Sequence, residues 1–373
     1  MNAVVISSTG VHTPPYSISN EELVASYNAY ATRYNAQNAA AIEAGALPAL
    51  ELSSTDFIEK ASGIRARRVI DKAGILDIDT MRPNVPERPN EQISIMAEWG
   101  VIAAKEALAR AGREAKDVDA VICAASNMQR AYPAIGIEIQ DALGIDGFAL
   151  DMVVGCGSAA YGVGTAADFV RAGRARSVLV VSPEITTGHN NHRSRDSHFI
   201  FGDLCTAVLV EAAEIAPPGA WAILGAKLKS KFSNNIRNNY GFLNPCNPSG
   251  VGAPDKLFIQ EGRKVFKEVV PLVSDMILSH LSELKLEPSM IRRMWLHQAN
   301  ANMIRLIGTR VLGREATEDE CPMVLQDYGN SSSAAAIIAF HKHSADLQTG
   351  DRGLICAFGA GYSAASIVVA KAA

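Results

Sequence analysis

No run of the sequence approaches the ~18 apolar residues of a membrane span, and the opening stretch, MNAVVISSTG, has neither a basic region nor a long apolar segment. That stretch reads as a first strand rather than a signal peptide. An excess of positive charge is missing as well. The formal net charge is −4, which argues against nucleic acid as the main partner. Close pairs of cysteine are also lacking. The six cysteines, at 123, 156, 205, 246, 321 and 356, are too scattered for a zinc knuckle or a disulfide scaffold and suggest free thiols in a reducing compartment. What is there is 373 residues, 48% hydrophobic and 20% charged. That is enough for a sizeable core in one large domain or two fused ones, and a cytoplasmic enzyme is the expectation.

Along the chain, Ala3–Ser8 reads as a strand. Ser19-Asn20-Glu21-Glu22 caps a helix running towards Ala44, and Ser54-Thr55-Asp56 caps a shorter one closed by Gly63. Arg65, Arg67 and Arg68 in Ile64–Ile70 read as a solvated strand face. Residues 71–90 read as an irregular excursion, and Asn90 as the cap of an amphipathic helix to Gly112. Val118–Ala125 is a buried strand, Ala134–Leu143 a helix and Phe148–Val154 a second buried strand. A helix of small residues follows, Ser158–Ala172, then strands Ser177–Ser182 and Leu204–Glu211 around a polar loop. That loop holds His189, His192 and His198, but no acidic or Cys ligand stands at helical spacing, so no metal site is assigned.

Pro217-Pro218-Gly219 divides the chain into halves, 1–216 and 217–373. The second half repeats the first in outline. A strand, Trp221–Lys231, and a loop, Asn234–Ala253, lead to a long helix Asp255–Leu284, then the strand Arg292–Leu296. A helix of small residues begins at Ser331-Ser332-Ser333, and Gly353–Phe358 and Ser363–Ala370 are strands about a glycine turn. Order alone carries this repeat. It predicts that both helices of small residues are buried between sheets, with the turns before them facing one cleft.

Cys156 lies on the first of those turns, bracketed by Gly155 and Gly157 between a strand and a helix. Backbone N–H groups and the positive end of the helix dipole converge there, which favours thiolate over thiol. His297 ends the strand in Trp295-Leu296-His297-Gln298-Ala299-Asn300, and Asn330 sits in Tyr328-Gly329-Asn330-Ser331. Together they supply what acyl transfer followed by carbon–carbon bond formation needs. The sulfur takes an acyl group from a thioester. An oxyanion is held by backbone N–H groups, those of Cys156 and of Ala360 within Phe358-Gly359-Ala360-Gly361. The imidazole and the carboxamide hold the thioester oxygen of a malonyl group as it loses CO2 and becomes an enolate.

The glycine-bracketed Cys156 after Asp151, Phe201-Gly202-Asp203, His297-Gln298-Ala299-Asn300, Tyr328-Gly329-Asn330-Ser331-Ser332 and Phe358-Gly359-Ala360-Gly361 occur in that order. In this the chain resembles the β-ketoacyl-acyl-carrier-protein synthase III family over nearly its whole length. The resemblance implies an α/β thiolase-like layered αβαβα fold of two similar halves and a homodimer. It also implies decarboxylating condensation of an acyl-CoA primer with malonyl-acyl carrier protein in fatty-acid synthesis. Cys156 would be acylated and His297 and Asn330 would serve the malonyl half, with both partners as substrates and neither cofactor nor metal.

Where the family commonly has a Trp stacked on the CoA adenine, this chain has Phe57, and a frequent Arg four residues later is Ala61. Arg195 matches a family arginine at the nucleotide end, Tyr132 the aromatic that lines the acyl tunnel across the dimer interface, and Asn300 is a substrate-side residue. The segments around 28–50 and 71–90 mark a long form of the family, which implies a medium-chain acyl-CoA. Arg305 and Arg310 are candidates for docking the acidic carrier, with Lys227, Lys229 and Lys231 second. A degradative thiolase would need a second cysteine in the last glycine turn, which Cys356 precedes. A head-to-head acyl-CoA condensing enzyme, a quinolone or polyketide starter enzyme, a cysteine hydrolase and a non-catalytic subunit are the alternatives.

Overall fold

A computed structural model of the chain describes residues 3–250 and 252–373. Local chemistry starts several elements where the sequence places them. Ser19 Oγ accepts the Glu22 N–H at 3.3 Å while Glu22 Oε2 accepts the Ser19 N–H at 3.0 Å, a reciprocal cap on the helix Asn20–Gln37. That helix stops short of Ala44 because Asn38 turns its amide back onto the Tyr34 carbonyl at 2.8 Å. A separate short helix, Ala39–Glu43, follows. The helix expected from Asn90 begins later, as Ile95–Ala111, because Ser94 Oγ caps it by accepting the Ala97 N–H at 3.1 Å. The helix expected from Asp255 is Gly262–Glu283. Upstream, Ile259–Gln260 pairs with Ile236–Arg237, and Asp255 holds Asn239, so pairing across the loop outweighs helical periodicity.

Arg67 is not on a solvated face. It is 2% exposed, on a strand Ala66–Val69 that pairs with Tyr16–Ser19 and turns alternate side chains inward. Its guanidinium donates to the Ile18 carbonyl at 3.1 Å and to Asn20 Oδ1 at 2.6 Å. Burial pulls its pKa down to about 9.

The principal sheet has nine strands. From one edge they run Phe148–Met152, Ala120–Ala124, Ser177–Glu184, Leu204–Ala212 and Val4–His12, and continue through Trp221–Ser233, Gly361–Lys371 and Arg352–Gly359 to Arg293–Leu296. In the first half this is the order third, second, fourth, fifth, first. The second half contributes four strands among the described residues; matched to the first half, with the third strand missing, they mirror it as first, fifth, fourth, second. The two first strands meet antiparallel through only two residue pairs, Val5 with Ala222 and Ile6 with Trp221. Such a narrow join lets the sheet fold back on itself.

Between its two arms lie the helices Ser158–Arg171 and Ala334–Lys342. Their small residues (Ala159, Ala160, Gly162 and Ala166 in one, Ala334 to Ala336 in the other) let strands approach from both sides. One hydrophobic cluster joins both helices to strands of both arms. A second packs Ile95–Ala111 and Ile135–Leu143 on the outside of the first arm, and a third packs Gly262–Glu283 and Ala301–Leu312 outside the second. The layers are therefore helix, sheet, helix, sheet, helix, with both central helices starting near the same place.

Candidate active site

Cys156 stands, half-buried, on the turn between the strand Phe148–Met152 and the helix Ser158–Arg171. Ser158 fastens that turn. Its Oγ accepts the Val154 N–H at 2.8 Å and lies 2.7 and 2.9 Å from the carbonyls of Gly155 and Ala125. Gly359 comes so close that a Cβ there would lie 2.6 Å from that of Cys156, so only glycine fits. The N–H groups of Ala360 and of Cys156 itself face the sulfur. The thiol is not the acidic one expected from its place at a helix start. Burial pushes it up to about 11, against the pull of those N–H groups. The resting sulfur is a neutral thiol.

His297 follows the strand Arg293–Leu296, its N–H bonded to the Cys356 carbonyl at 2.8 Å. Its ring meets the Phe358 ring edge to face at 5.3 Å, and the next residue, Gly359, is the one that packs against Cys156. The imidazole is 1% exposed, and burial lowers its pKa to about 3. It is a neutral ring at any working pH. Gln298, fully buried, accepts the Val324 N–H at 2.9 Å and donates to the Leu296 carbonyl at 2.8 Å, clamping the segment that leads to Asn330. Asn300 is engaged by its own helix. Its Oδ1 caps the N–H groups of Asn302 and Met303, and its amide donates to the Ala61 carbonyl.

Asn330 is held by the Phe201-Gly202-Asp203 segment. Its N–H donates to the Ile200 carbonyl at 2.9 Å and its carbonyl accepts the Gly202 N–H at 3.1 Å. Asp203, buried, anchors that segment by accepting the N–H groups of Ile70 and Thr187, each at 2.8 Å. Two residues beyond Asn330, Ser332 adopts φ 49, a left-handed backbone rare for a side-chain-bearing residue. Its hydroxyl faces the Cys156 sulfur without an aligned hydrogen bond, and its backbone carbonyl faces the His297 ring.

Cys156, His297 and Asn330 line one cavity of ≈ 900 Å³, together with Phe57, Asn300 and Phe358. Among the described residues Cys156 is the one cysteine in its wall. The Arg195 guanidinium stacks over the Phe57 ring at 4.0 Å, steadied by the Leu52 carbonyl at 2.8 Å. Tyr132 is elsewhere. It is 85% exposed and does not reach this chain's own cavity. Arg305 and Arg310 are exposed on the helix Ala301–Leu312. Lys229 and Lys231 are exposed on Trp221–Ser233, whereas Lys227 is paired with Glu283 at 2.5 Å. The positions that sequence reading missed are those holding the site: Gln298, Gly202 and Ser332. All three stood inside quoted motifs, but their partners lie far away in sequence.

Residues 150–231 match the family model described as 3-oxoacyl-[acyl-carrier-protein] synthase III, and residues 281–371 match its C-terminal model. The chain is 53% identical over 347 residues to a β-ketodecanoyl-[acyl-carrier-protein] synthase of Pseudomonas aeruginosa, covering 93% of this chain and 99% of that protein. It is 32% identical over 276 residues to a β-ketoacyl-[acyl-carrier-protein] synthase III of Mesorhizobium japonicum, covering 73% and 83% respectively. A crystal structure of 3-oxoacyl-[acyl-carrier-protein] synthase III from Aquifex aeolicus superposes with a TM-score of 0.76 at 22% identity, over 98% of this chain and 99% of that one. That likeness shows the thiolase-like fold.

Proposed function

The chain belongs to the β-ketoacyl-acyl-carrier-protein synthase III family, and from that premise we propose how its cavity condenses a medium-chain acyl-CoA with malonyl-acyl carrier protein. The observation that carries this reading is one cavity walled by a thiol, a neutral imidazole and a carboxamide. The Cys156 sulfur attacks the acyl-CoA thioester carbonyl. The N–H groups of Ala360 and Cys156 receive the oxyanion. CoA then leaves with the proton that the thiol gives up, and the acyl group stays on sulfur. Malonyl-carrier next places its thioester oxygen between His297 and Asn330. Loss of CO2 yields an enolate that both groups stabilise as neutral hydrogen-bond donors. The enolate carbon attacks acyl-Cys156, and the carbon–sulfur bond breaks with the electron pair going to sulfur. The thiolate takes a proton from water, and β-ketoacyl-carrier is released.

Phe57, in the cavity wall, and Arg195, stacked on its ring from beside that wall, suit the CoA adenine, which would part them and lie on the ring, while Asn300 shapes the adjoining wall. Arg305 and Arg310 offer exposed positive charge to the carrier. We read the halves as 1–216 and 217–373, a division supported by the mirrored strand order. A homodimer is supported by the edge strand Phe148–Met152, with Val153 57% exposed beyond it. In such a pair Tyr132 would reach the partner's acyl tunnel. No helix among the described residues is long and apolar enough to cross a membrane, and all six cysteines are free, which supports a cytoplasmic setting.

The medium-chain preference rests on the 53% identity to the β-ketodecanoyl synthase. A series of acyl-CoA primers from two to sixteen carbons, with malonyl-acyl carrier protein as acceptor, tests it. The expected result is a maximum in kcat/KM near eight carbons. A maximum at acetyl-CoA would overturn the chain-length assignment.

A further inference from the structure

Glu184 ends the strand Ser177–Glu184 and is 1% exposed. Burial pushes its pKa up to about 7, and the hydrogen bonds that resist this all come from two serines. Oε1 accepts the Ser126 N–H at 2.9 Å, the Ser333 N–H at 3.1 Å and the Ser333 hydroxyl. Oε2 accepts the Ser126 hydroxyl at 2.5 Å. Ser126 follows the strand Ala120–Ala124 of the first half, whereas Ser333 begins the helix Ala334–Lys342 of the second. The ionisable groups that feel its charge are the thiols of Cys123, Cys156 and Cys205. A buried carboxylate without a cation is costly, and an apolar side chain would pack there more cheaply. Its four contacts give it a task that an apolar residue could not perform.

Ser333 adjoins Ser332, the residue at positive φ whose carbonyl faces His297, and is three residues from Asn330. We propose that Glu184 is a positioning residue that pins Ser333 to the first half and so holds the Asn330–Ser332 turn in register for the malonyl step. The sulfur keeps anchors that do not pass through Glu184: Ser158 Oγ also binds Val154 and Gly155 on the turn itself, and Gly359 packs against Cys156, although the third contact of Ser158, the Ala125 carbonyl, adjoins Ser126. Loss of the clamp therefore affects decarboxylation more than acylation. This rests on the condensing mechanism above.

Three variants test the clamp: Glu184→Ala, Glu184→Gln and Ser333→Ala. The glutamine oxygen can take the place of Oε1, and its amide can donate to the Ser126 hydroxyl where Oε2 accepted from it, so the bonds survive without the charge. Acylation is read by intact mass after mixing with octanoyl-CoA, and decarboxylation by CO2 release from malonyl-acyl carrier protein on the pre-acylated enzyme. For Glu184→Ala, acylation should stay within about threefold of the unsubstituted enzyme, while CO2 release falls by roughly tenfold to a hundredfold. Glu184→Gln should restore release to within about threefold, and Ser333→Ala should lower it by a smaller factor. Undiminished CO2 release in Glu184→Ala, an equal fall in both steps, or a Glu184→Gln as slow as the alanine variant would overturn the clamp. If Glu184→Ala does not fold, undiminished release in Ser333→Ala would do the same. An unsubstituted enzyme that neither acylates nor releases CO2 would instead count against the mechanism itself.

Discussion

At the scale of single residues, the three side chains proposed to do the chemistry carry no net charge at rest. Burial holds the Cys156 thiol up at about 11 and the His297 imidazole down at about 3. Neither of the two titratable groups among these proposed residues therefore titrates between pH 5 and 8. Iodoacetamide alkylation of Cys156 should accelerate about tenfold per pH unit from 7 to 9, since only the scarce thiolate reacts; a plateau below pH 8 would reveal an acidic thiol. Arg195→Ala should raise KM for acyl-CoA several-fold, on the order of 1 kcal/mol of lost binding, with little change in kcat. Steady-state kinetics check this, and a fall in kcat alone would contradict a role in binding acyl-CoA. The residue types and motif order of Cys156, His297 and Asn330 were legible in the sequence. The acidity of Cys156 was not, because local backbone suggests a helix-start thiolate while long-range packing decides desolvation.

At the scale of elements, the turns are set by contacts between distant segments. A Cβ at Gly202 would lie 2.0 Å from the Tyr328 carbonyl oxygen, where neither backbone can yield without breaking the pairing that holds Asn330. Gly202→Ala should therefore destabilise the chain by about 3 kcal/mol and reduce condensation more than Cys156 acylation. Urea unfolding paired with the two-step assay measures both, and an unchanged midpoint would contradict the close approach. Helix caps at Ser19 and Ser54 were readable because capping chemistry spans only a few residues. Arg67, Gln298 and Glu184 were not, since their partners lie tens of residues or more away. The start of the helix Gly262–Glu283 was misplaced for a similar reason, a two-residue pairing across a loop.

At the scale of the molecule, the mirrored sheet places two helix starts beside one cavity, so the repeated order seen in the sequence becomes convergence in space. The second half has no third strand in this sheet among the described residues, a departure from the repeat that spacing alone did not disclose. Burial on this scale also sets the response to acid. His189, His192, His198, His280 and His297 are held neutral, with pKa values lowered to about 4, 3, 4, 4 and 3. The unfolded chain binds more protons than the folded one as pH falls from 6.5 towards 4, so stability falls with it. Glu184 and Asp203, raised to about 7 and about 6, act in the opposite sense over part of that range but are outnumbered. The Tm should drop by on the order of 10 °C between pH 6.5 and 4.5, and a rise would contradict the burial of the imidazoles. The most direct test of the whole account is intact-mass spectrometry of the enzyme mixed first with octanoyl-CoA and then with malonyl-acyl carrier protein. The account predicts one acyl adduct, mapped to Cys156 and absent in Cys156→Ala, that persists until malonyl-carrier converts it to β-ketodecanoyl-carrier. An enzyme that forms no adduct, or one whose adduct decays to free octanoate before any malonyl-carrier is added, would contradict it.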